Sequence, residues 1–585
     1  MTKDNVAAIL EEIGVLLELK GENPFKTRAY HNAARTLEAL TEPLERLVAE
    51  NRLGELKGFG EALQTKVATL VTTGCLPYYD ELKASFPPGL LDLLNLPGVG
   101  PKKARKLHDA LQIASVEDLE AACKDGRVAA LDGFGDLSQQ RILEGIALRR
   151  QFASQHRLGD ALATAEPILE RLRSHPDVIR CSAAGSLRRW KEVIGDLDFV
   201  VSSSRPAAVI ESFLHQPGVL KATAQGETKA SVVLDNGLQA DLRVVRDAEF
   251  PFALAYFTGS KEHNIVMRQR AIARGLRLNE YGLSPSDDAP AGRATAPDPC
   301  RTEEEIYRAL GLSYIPPELR EDQGEFLAAE RGELPELIEW TQLKGSLHNH
   351  STWSDGRQSL EEIAAHAQDL GCAYWAVTDH SKASFQANGL DARRLREQIR
   401  AIRDINRRLE DDGSDFRLLT GTEVDILKDG LDFPDEVLSE LDVVVASLHV
   451  PARDEAENTR RLIRAARNPW VHMLGHPSGR LLLERPPYPV NLRAIIEACA
   501  ETGTWIELNA SPFRFDLDWR HWHDAVRLGV RCAINCDAHR PEHAGQLRLG
   551  AGIARKGWLT RDDVINTRPL PALRQALADR RSRIR

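Results

Sequence analysis

The chain is poor in the residues that brace secreted or membrane-bound proteins. Only 8 of its 585 residues are cysteine. None forms a Cys-x-x-Cys pair, and only Cys532 and Cys536 lie close together, so reduced core thiols are expected rather than a disulfide framework. No apolar run is long enough to span a bilayer, and the start, Met1-Thr2-Lys3-Asp4-Asn5, lacks a signal-peptide pattern. A cytoplasmic protein without a membrane partner is the expectation. A polybasic arm is missing too: 76 basic residues stand against 86 acidic ones, a formal net charge of −10. That argues against a non-specific nucleic-acid coat, so any DNA contact must be local and made largely by backbone groups. Length is plentiful, enough for roughly three to five domains.

One stretch organises the rest, Gly185-Ser186-Leu187-Arg188-Arg189 through Gly195-Asp196-Leu197-Asp198-Phe199-Val200-Val201. Its second half reads as a buried strand, on which alternation places Asp196 and Asp198 on one face. Two carboxylates so placed suit a pair of Mg²⁺ ions, which take oxygen ligands and substrate phosphates. The Gly185-Ser186 turn lets backbone N–H groups and a hydroxyl approach a phosphate, and Arg189 offers a fixed fork. Downstream, Asp235-Asn236-Gly237 separates two β-like runs and predicts a hairpin. Its second strand carries Asp241, a third carboxylate for a two-metal nucleotidyl transferase.

The first 150 residues read as short helices. Leu56-Lys57-Gly58-Phe59-Gly60 and Leu96-Pro97-Gly98-Val99-Gly100 each lead into a helix, the pattern of a helix-hairpin-helix whose glycines expose N–H groups to a DNA phosphate. Lys102, Lys103, Arg105 and Lys106 add the local charge that the whole chain lacks. Gly133-Phe134-Gly135 is a third copy without a basic helix and is given no role.

Gly-Ser-x-x-Arg, Gly-Asp-x-Asp, the third Asp, Tyr256-Phe257-Thr258-Gly259-Ser260 and the paired hairpins together resemble a family X DNA polymerase over residues 1 to 316. The resemblance implies that Asp196, Asp198 and Asp241 carry two Mg²⁺, and that Gly185, Ser186, Arg189, Gly195 and Gly259 belong to the nucleotide site. It further implies that Tyr256 and Phe257 pack on the sugar, Asn264 meets the base edge and Arg268 the template side. Gln239 departs from the vertebrate repair members, which have Arg two residues before the third Asp. By the same resemblance, Lys26 and Tyr30 flank a 5′-phosphate pocket. Lys66 falls where the repair lyases form a Schiff base. Glu61, Ala62 and Gln64 surround it where those lyases are more basic, so a phosphate contact with little or no lyase chemistry is expected.

A second module begins at Gly345-Ser346-Leu347-His348-Asn349-His350. His348, His350, Asp355, His380, Glu423, His449, His476, Asp537 and His539 cluster just past successive apolar runs with helical segments between them. That is the pattern of a β/α barrel with its site at the strand C-termini. So many N and O ligands suit several Zn²⁺, Mn²⁺ or Fe²⁺ ions. The set resembles the PHP family, whose members hydrolyse phosphoesters at a three-metal site. Asn509 and Arg514 are further candidates near its mouth. Ser346 and Asn349 depart from relatives but need not ligate.

The expected architecture is multidomain. Helical helix-hairpin-helix domains (1–80 and 81–150) precede an α/β nucleotidyltransferase palm (151–248) and an α+β thumb (249–316). A linker (317–340) leads to a barrel-like PHP domain (341–575) and a basic tail (576–585). The expected function is short-gap DNA synthesis in repair by a monomer, using gapped or primer-template DNA and dNTPs, with two Mg²⁺ at the palm. About three Mn²⁺ or Zn²⁺ at the PHP site would support 3′–5′ nuclease action or cutting at abasic sites. The alternatives are a polymerase fused to a small-molecule phosphatase, and a non-catalytic DNA-end scaffold.

Overall fold

The computed structural model describes every residue except 2, 39, 41, 97, 153, 287–297 and 584–585. It divides into two compact units, Met1–Ala153 and Ser154–Arg585. No described helix is long and apolar enough to cross a membrane, and all eight cysteines are free.

The first unit is helical. Val6, Leu10, Ile13 and Leu17 recur at helical spacing and line one face of the helix Lys3–Lys20. They pack with Tyr30, Ala33 and Leu37 of Pro24–Glu38 and with Leu63, Val67 and Leu70 of Glu61–Thr73. A second cluster gathers Leu93, Leu107, Leu119, Ile142 and Ile146 around the helices Pro101–Leu111, Val116–Lys124 and Asp136–Phe152. Gly58 and Gly98 sit at φ +87° and +80°, a left-handed conformation that disfavours a side chain. Gly60 and Gly100 then occupy the N-cap positions of Glu61–Thr73 and Pro101–Leu111. Pro97 of the second hairpin lies outside the described residues.

The second unit opens with a five-stranded sheet in the order Arg180–Ala183, Asp196–Ser202, Gln239–Val245, Lys229–Leu234, Val219–Gln225. The two aspartate-bearing strands run parallel, and the Asn236-Gly237 hairpin joins antiparallel neighbours as expected. Phe199, Val201, Val232 and Leu242 share one cluster with Leu158, Ala161, Val209 and Phe213 of the helices Leu158–Ser174 and Pro206–Leu214. The helices Phe250–Thr258, Lys261–Ala273 and Glu303–Ala309 and a small hairpin form the thumb.

Residues 317–340, expected as a linker, are packed structure. Arg320 is fully buried, reaches Glu303 at 2.7 Å and crosses Tyr307 and Tyr314. Glu325, also buried, heads the helix Glu325–Arg331. Charge misled the reading here, because these acids and bases satisfy one another inside rather than facing solvent.

Seven parallel strands follow: Gly345–Ser346, Tyr374–Val377, Arg417–Asp425, Val443–Ser447, Met473–Leu474, Trp505–Asn509 and Cys532–Asn535, each paired to the next. A bridge between Asn349 and Ala538 brings the last strand back to the first, with the His350 N–H on the Ala538 carbonyl at 2.9 Å. Leu347, Ala376, Leu419, Val445, Met473 and Ala533 form a cluster that also holds Leu573 and Leu577 of the helix Leu570–Ser582. That helix overturns the basic tail expected at 576–585. Through Ser582 the segment is helical, and buried Arg580 donates to Thr504 Oγ1 and the Ala466 carbonyl. Palm and barrel also share one continuous apolar cluster.

Candidate active sites

The palm register places Asp198 directly opposite Asp241, with Asp196 two residues upstream on the same strand. Burial first, then the charges of Asp196 and Asp241, pushes the Asp198 carboxyl up to about 7, against relief from Arg189 and Arg243. Burial and Asp241 raise Asp196 as well. Carboxylates that crowd one another in this way suit a divalent cation. Gly185, at φ +58°, lies so close to Asp198 that a side chain there would overlap its carboxylate. Ser186 Oγ is buried and without a hydrogen-bond partner, an orphan that a phosphate oxygen would satisfy. Gln239 Nε2 approaches Asp241 Oδ1 at 3.4 Å.

Arg188 and Arg189 face different partners. Arg188 binds Glu303 through its two terminal guanidinium nitrogens at 3.0 and 2.5 Å and Thr258 Oγ1 at 2.7 Å. Burial would raise the Glu303 carboxyl, but Arg320 and Arg188 hold it down at about 2. Arg189 donates to the Thr258 carbonyl and, at 3.1 Å, to Glu321. Gly259, at φ +67°, lies against Arg189, and Gly195 has open space around it. Tyr256 and Phe257 meet edge to face at 5.2 Å, and Arg243 lies over the Phe257 ring. Asn264 donates to the Tyr256 carbonyl, and Arg268 to the Asn264 carbonyl. Tyr256, Asn264 and Arg268 line a small pocket with Asn279 and His263.

The barrel brings all nine expected ligands together. His350, Asp355, His380 and His539 form one group; His348, His350 and Glu423 a second; His380, Glu423 and His449 a third. Within each, the donor atoms lie within 4.8 Å of one another. His476 Nε2 reaches Glu423 Oε1 at 3.0 Å, and His350 Nε2 reaches Asp537 Oδ1 at 3.1 Å. His348 Nε2 and His350 Nδ1 are buried without hydrogen-bond partners, as lone pairs reserved for cations are. Burial works against charge on the imidazoles, yet Glu423 and Asp425 hold His449 up at about 10, and Asp355 and Asp537 hold His539 at about 9. His350, buried beside His539 and His380, is pressed down to about 3. Asn509 donates to Asp537 at 3.0 Å. Among the described residues the Arg514 side chain makes no hydrogen bond to the nine ligands; its carbonyl accepts from Arg480. Asn349 is structural, bonded to Ala376 and Thr378.

In the helical unit, Lys66 is boxed rather than free. Its ammonium bonds Tyr30 Oη at 2.7 Å and lies 4.0 Å from the Tyr78 ring centre. Burial lowers its pKa, opposed by Tyr78 and assisted by Lys26. Lys26 itself pairs with Glu22 at 3.5 Å. Lys103 bonds the Gly98 carbonyl at 3.0 Å, Lys106 pairs with Asp132 at 3.2 Å, and Lys102 stays exposed at 3.7 Å from Glu18.

Four family models match the chain in order. They are a helix-hairpin-helix domain over residues 1–76 and a SAM-like helix-hairpin-helix tandem over 90–147. The DNA polymerase beta thumb follows over 253–321 and the PHP domain over 346–511. DNA polymerase/3′-5′ exonuclease PolX of Bacillus subtilis (strain 168) is 39% identical over 575 residues, covering 97% of this chain and 98% of that protein. The chain belongs to the PolX family. It is thus a family X DNA polymerase carrying a PHP domain, with DNA and dNTPs as substrates, and its barrel holds His/Asp/Glu groups that could take divalent cations. DNA polymerase lambda of Rattus norvegicus is 25% identical over 342 residues, 54% of this chain and 56% of that protein. A probable phosphatase of Thermoanaerobacter sp. (strain X514) is 32% identical over 162 residues, 26% of this chain and 64% of that protein.

Two features of this PolX chain escaped the sequence reading, and a third was recognised but left without a role. Glu507, fully buried, accepts from His348 Nδ1 at 2.8 Å, and Asp425 accepts from His449 Nδ1 at 2.8 Å. Both hold an imidazole of the expected ligand set from behind. In sequence Glu507 is a lone acid inside an apolar run, and Asp425 stands two residues after Glu423 beside Val424 and Ile426; the apolar neighbours were the available signal. Gly133-Phe134-Gly135, given no role, lies within the matched hairpin tandem, with both glycines at positive φ.

Proposed function

We propose that this PolX chain fills short DNA gaps in repair at its palm and degrades DNA at its barrel, from 3′ ends or at abasic sites, as a cytoplasmic monomer. The observation that supports the reading is convergence: Asp198 faces Asp241, seven of the nine expected barrel residues fall into three linked groups, and His476 and Asp537 bond to members of them. Two Mg²⁺ suit the palm carboxylates, and about three Mn²⁺ or Zn²⁺ the barrel. Bound there, the cations supply an activated oxygen nucleophile and neutralise phosphate charge. The chain's own groups do the positioning. The Ser186 hydroxyl and Arg189 hold the triphosphate, while Tyr256 and Phe257 pack the sugar. Asn264 meets the base edge, and Arg268 the template. The glycine hairpins at Gly58–Gly60 and Gly98–Gly100 dock DNA phosphates with Lys102, Lys103 and Lys106. Lys66, with Lys26 and Tyr30, binds a downstream 5′-phosphate.

The deciding experiment is extension of a single-nucleotide-gapped DNA, with and without dNTP, in Mg²⁺ and in Mn²⁺. One-nucleotide addition with dNTP and 3′ shortening without it are expected. Shortening absent under every metal condition would refute the nuclease assignment. A second reading, that the barrel is a phosphatase for small phosphomonoesters, is favoured by the probable-phosphatase relatives. Turnover of a small phosphomonoester with none on DNA would select it.

A further inference from the structure

The loop Arg189–Glu192, between the Gly185-Ser186 turn and the metal-binding strand, is gripped residue by residue by the barrel. Lys556, the last residue of the helix Leu547–Lys556, donates to the Arg189 carbonyl at 3.0 Å. Trp190 lies over Gly552 of the same helix, where any side chain would overlap its ring. Lys191 sits above the Trp519 ring at 5.3 Å. Glu192 accepts from Trp519 Nε1 at 2.7 Å and Arg520 at 3.1 Å. Four successive residues of the polymerase loop therefore owe their placement to the nuclease domain.

Charge concentrates the effect at one point. Glu321 Oε1 takes Arg189 Nε at 3.1 Å and Lys556 Nζ at 2.6 Å, so two cations share one carboxylate oxygen. Lys556 is fully buried, and its third bond goes to the Glu318 carbonyl at 3.3 Å. Arg189, Lys556 and Glu321 together carry one net positive charge. Without the lysine, Arg189 and Glu321 would close into a neutral pair, and a polyanion would have to pull the guanidinium from its partner.

We propose that Lys556, supplied by the PHP barrel, is a positioning residue of the polymerase site: by sharing Glu321 it leaves the Arg189 charge available to an incoming triphosphate. The proposal rests on the reading of Arg189 as a triphosphate contact. It means that the nuclease domain is part of the polymerase's nucleotide-binding apparatus even though it contributes no group to the chemistry there. It also gives the buried lysine a purpose that packing alone does not, since an apolar side chain would fill the same space without a desolvated charge.

The test measures KM for dNTP and kcat in single-nucleotide gap filling by the full-length protein. Variants are Lys556→Met, Glu321→Gln, the double variant and Arg189→Ala, with thermal melts for each. Lys556→Met is expected to raise KM about ten-fold with kcat nearly unchanged, a loss of binding rather than of chemistry. Glu321→Gln should lower KM. The double variant, which restores the single net charge, should return KM to within about two-fold of the starting protein, because coupled residues are not additive. A purely structural role would instead make the double variant worse than Lys556→Met, and that result would overturn the proposal. So would an unchanged KM in a folded Lys556→Met protein. If Lys556→Met does not fold, Glu321→Gln alone decides: an unchanged or raised KM refutes. Arg189→Ala separates the two levels, since an unaffected KM there removes the underlying reading of Arg189 itself.

Discussion

Glu507→Gln is the smallest change that should disable the barrel. Glu507 has no solvent exposure and receives four donors on two oxygens. His348 Nδ1 at 2.8 Å and Asn535 Nδ2 at 3.0 Å reach Oε1. The His476 backbone N–H at 2.8 Å and Asn509 Nδ2 at 3.3 Å reach Oε2. Glutamine keeps the volume but can accept on one side only. If its NH₂ faces His348, the imidazole must move its proton to Nε2 and offers N–H instead of a lone pair to the cluster. If its NH₂ faces His476, a buried backbone donor loses its acceptor. Either arrangement costs about 1–3 kcal/mol, the price of one buried unsatisfied donor. Loss of such support behind a ligand histidine lowers metal affinity by about 10–100-fold. The assay is Mn²⁺ titration of chelator-stripped protein, read by calorimetry and by 3′-end degradation, with gap filling as the internal reference. Wild-type Mn²⁺ affinity in a folded Glu507→Gln protein would refute the argument.

Asp196→Ala, Asp198→Ala or Asp241→Ala should abolish nucleotide addition and spare 3′-end degradation; a folded Asp198→Ala protein that loses both would break the two-site reading. His348→Ala or His350→Ala should lose the nuclease and bound metal while gap filling persists, which elemental analysis alongside primer extension checks. In metal-free protein His449 and His539 stay charged up to about 10 and 9 because Glu423 and Asp355 with their carboxylate neighbours outweigh burial. Their contribution to stability is complete below the ordinary histidine pKa and is lost as pH rises through those values. Mn²⁺, which displaces these protons, should bind more tightly at pH 8.5 than at pH 6.5; affinity that is flat with pH counts against their role as ligands. Lys66 should bind the downstream 5′-phosphate with little lyase activity; a strong borohydride-trapped adduct on a 5′-deoxyribose-phosphate end, lost in Lys66→Ala, overturns this.

Legibility followed how chemistry is written along the chain. Asp196 and Asp198 were readable because strand alternation fixes their face locally, and Asp241 because Asn236-Gly237 fixes the hairpin that carries it. The barrel ligands were readable because each follows an apolar run, so that closing the ring brings them to one end. Glu507 and Asp425 were not, since only the folded ring shows which imidazole an acid backs. The box around Lys66 was also hidden: Tyr30 and Tyr78 stand 36 residues before it and 12 after, and only packing joins them.

The reading of two modules parted by a linker at 317–340 met its limit at the same kind of residue. Glu192, Glu318, Arg320, Glu321, Arg480 and Lys556 look in sequence like solvated surface, and charged side chains usually are. Here they are buried, Glu321 only in part, because each finds an opposite charge or a carbonyl on another element. Burial of charge is tolerable only when the partner is held in place, and breaking such a pair costs about 3–5 kcal/mol. An interface built this way resists piecemeal change, so palm and barrel are bound to each other by the same ion pairs that steady the loop between the Gly185-Ser186 turn and the strand Asp196–Ser202. On the proposed roles, the two sites remain separable by their own side chains, while part of the framework beside the palm site belongs to the barrel.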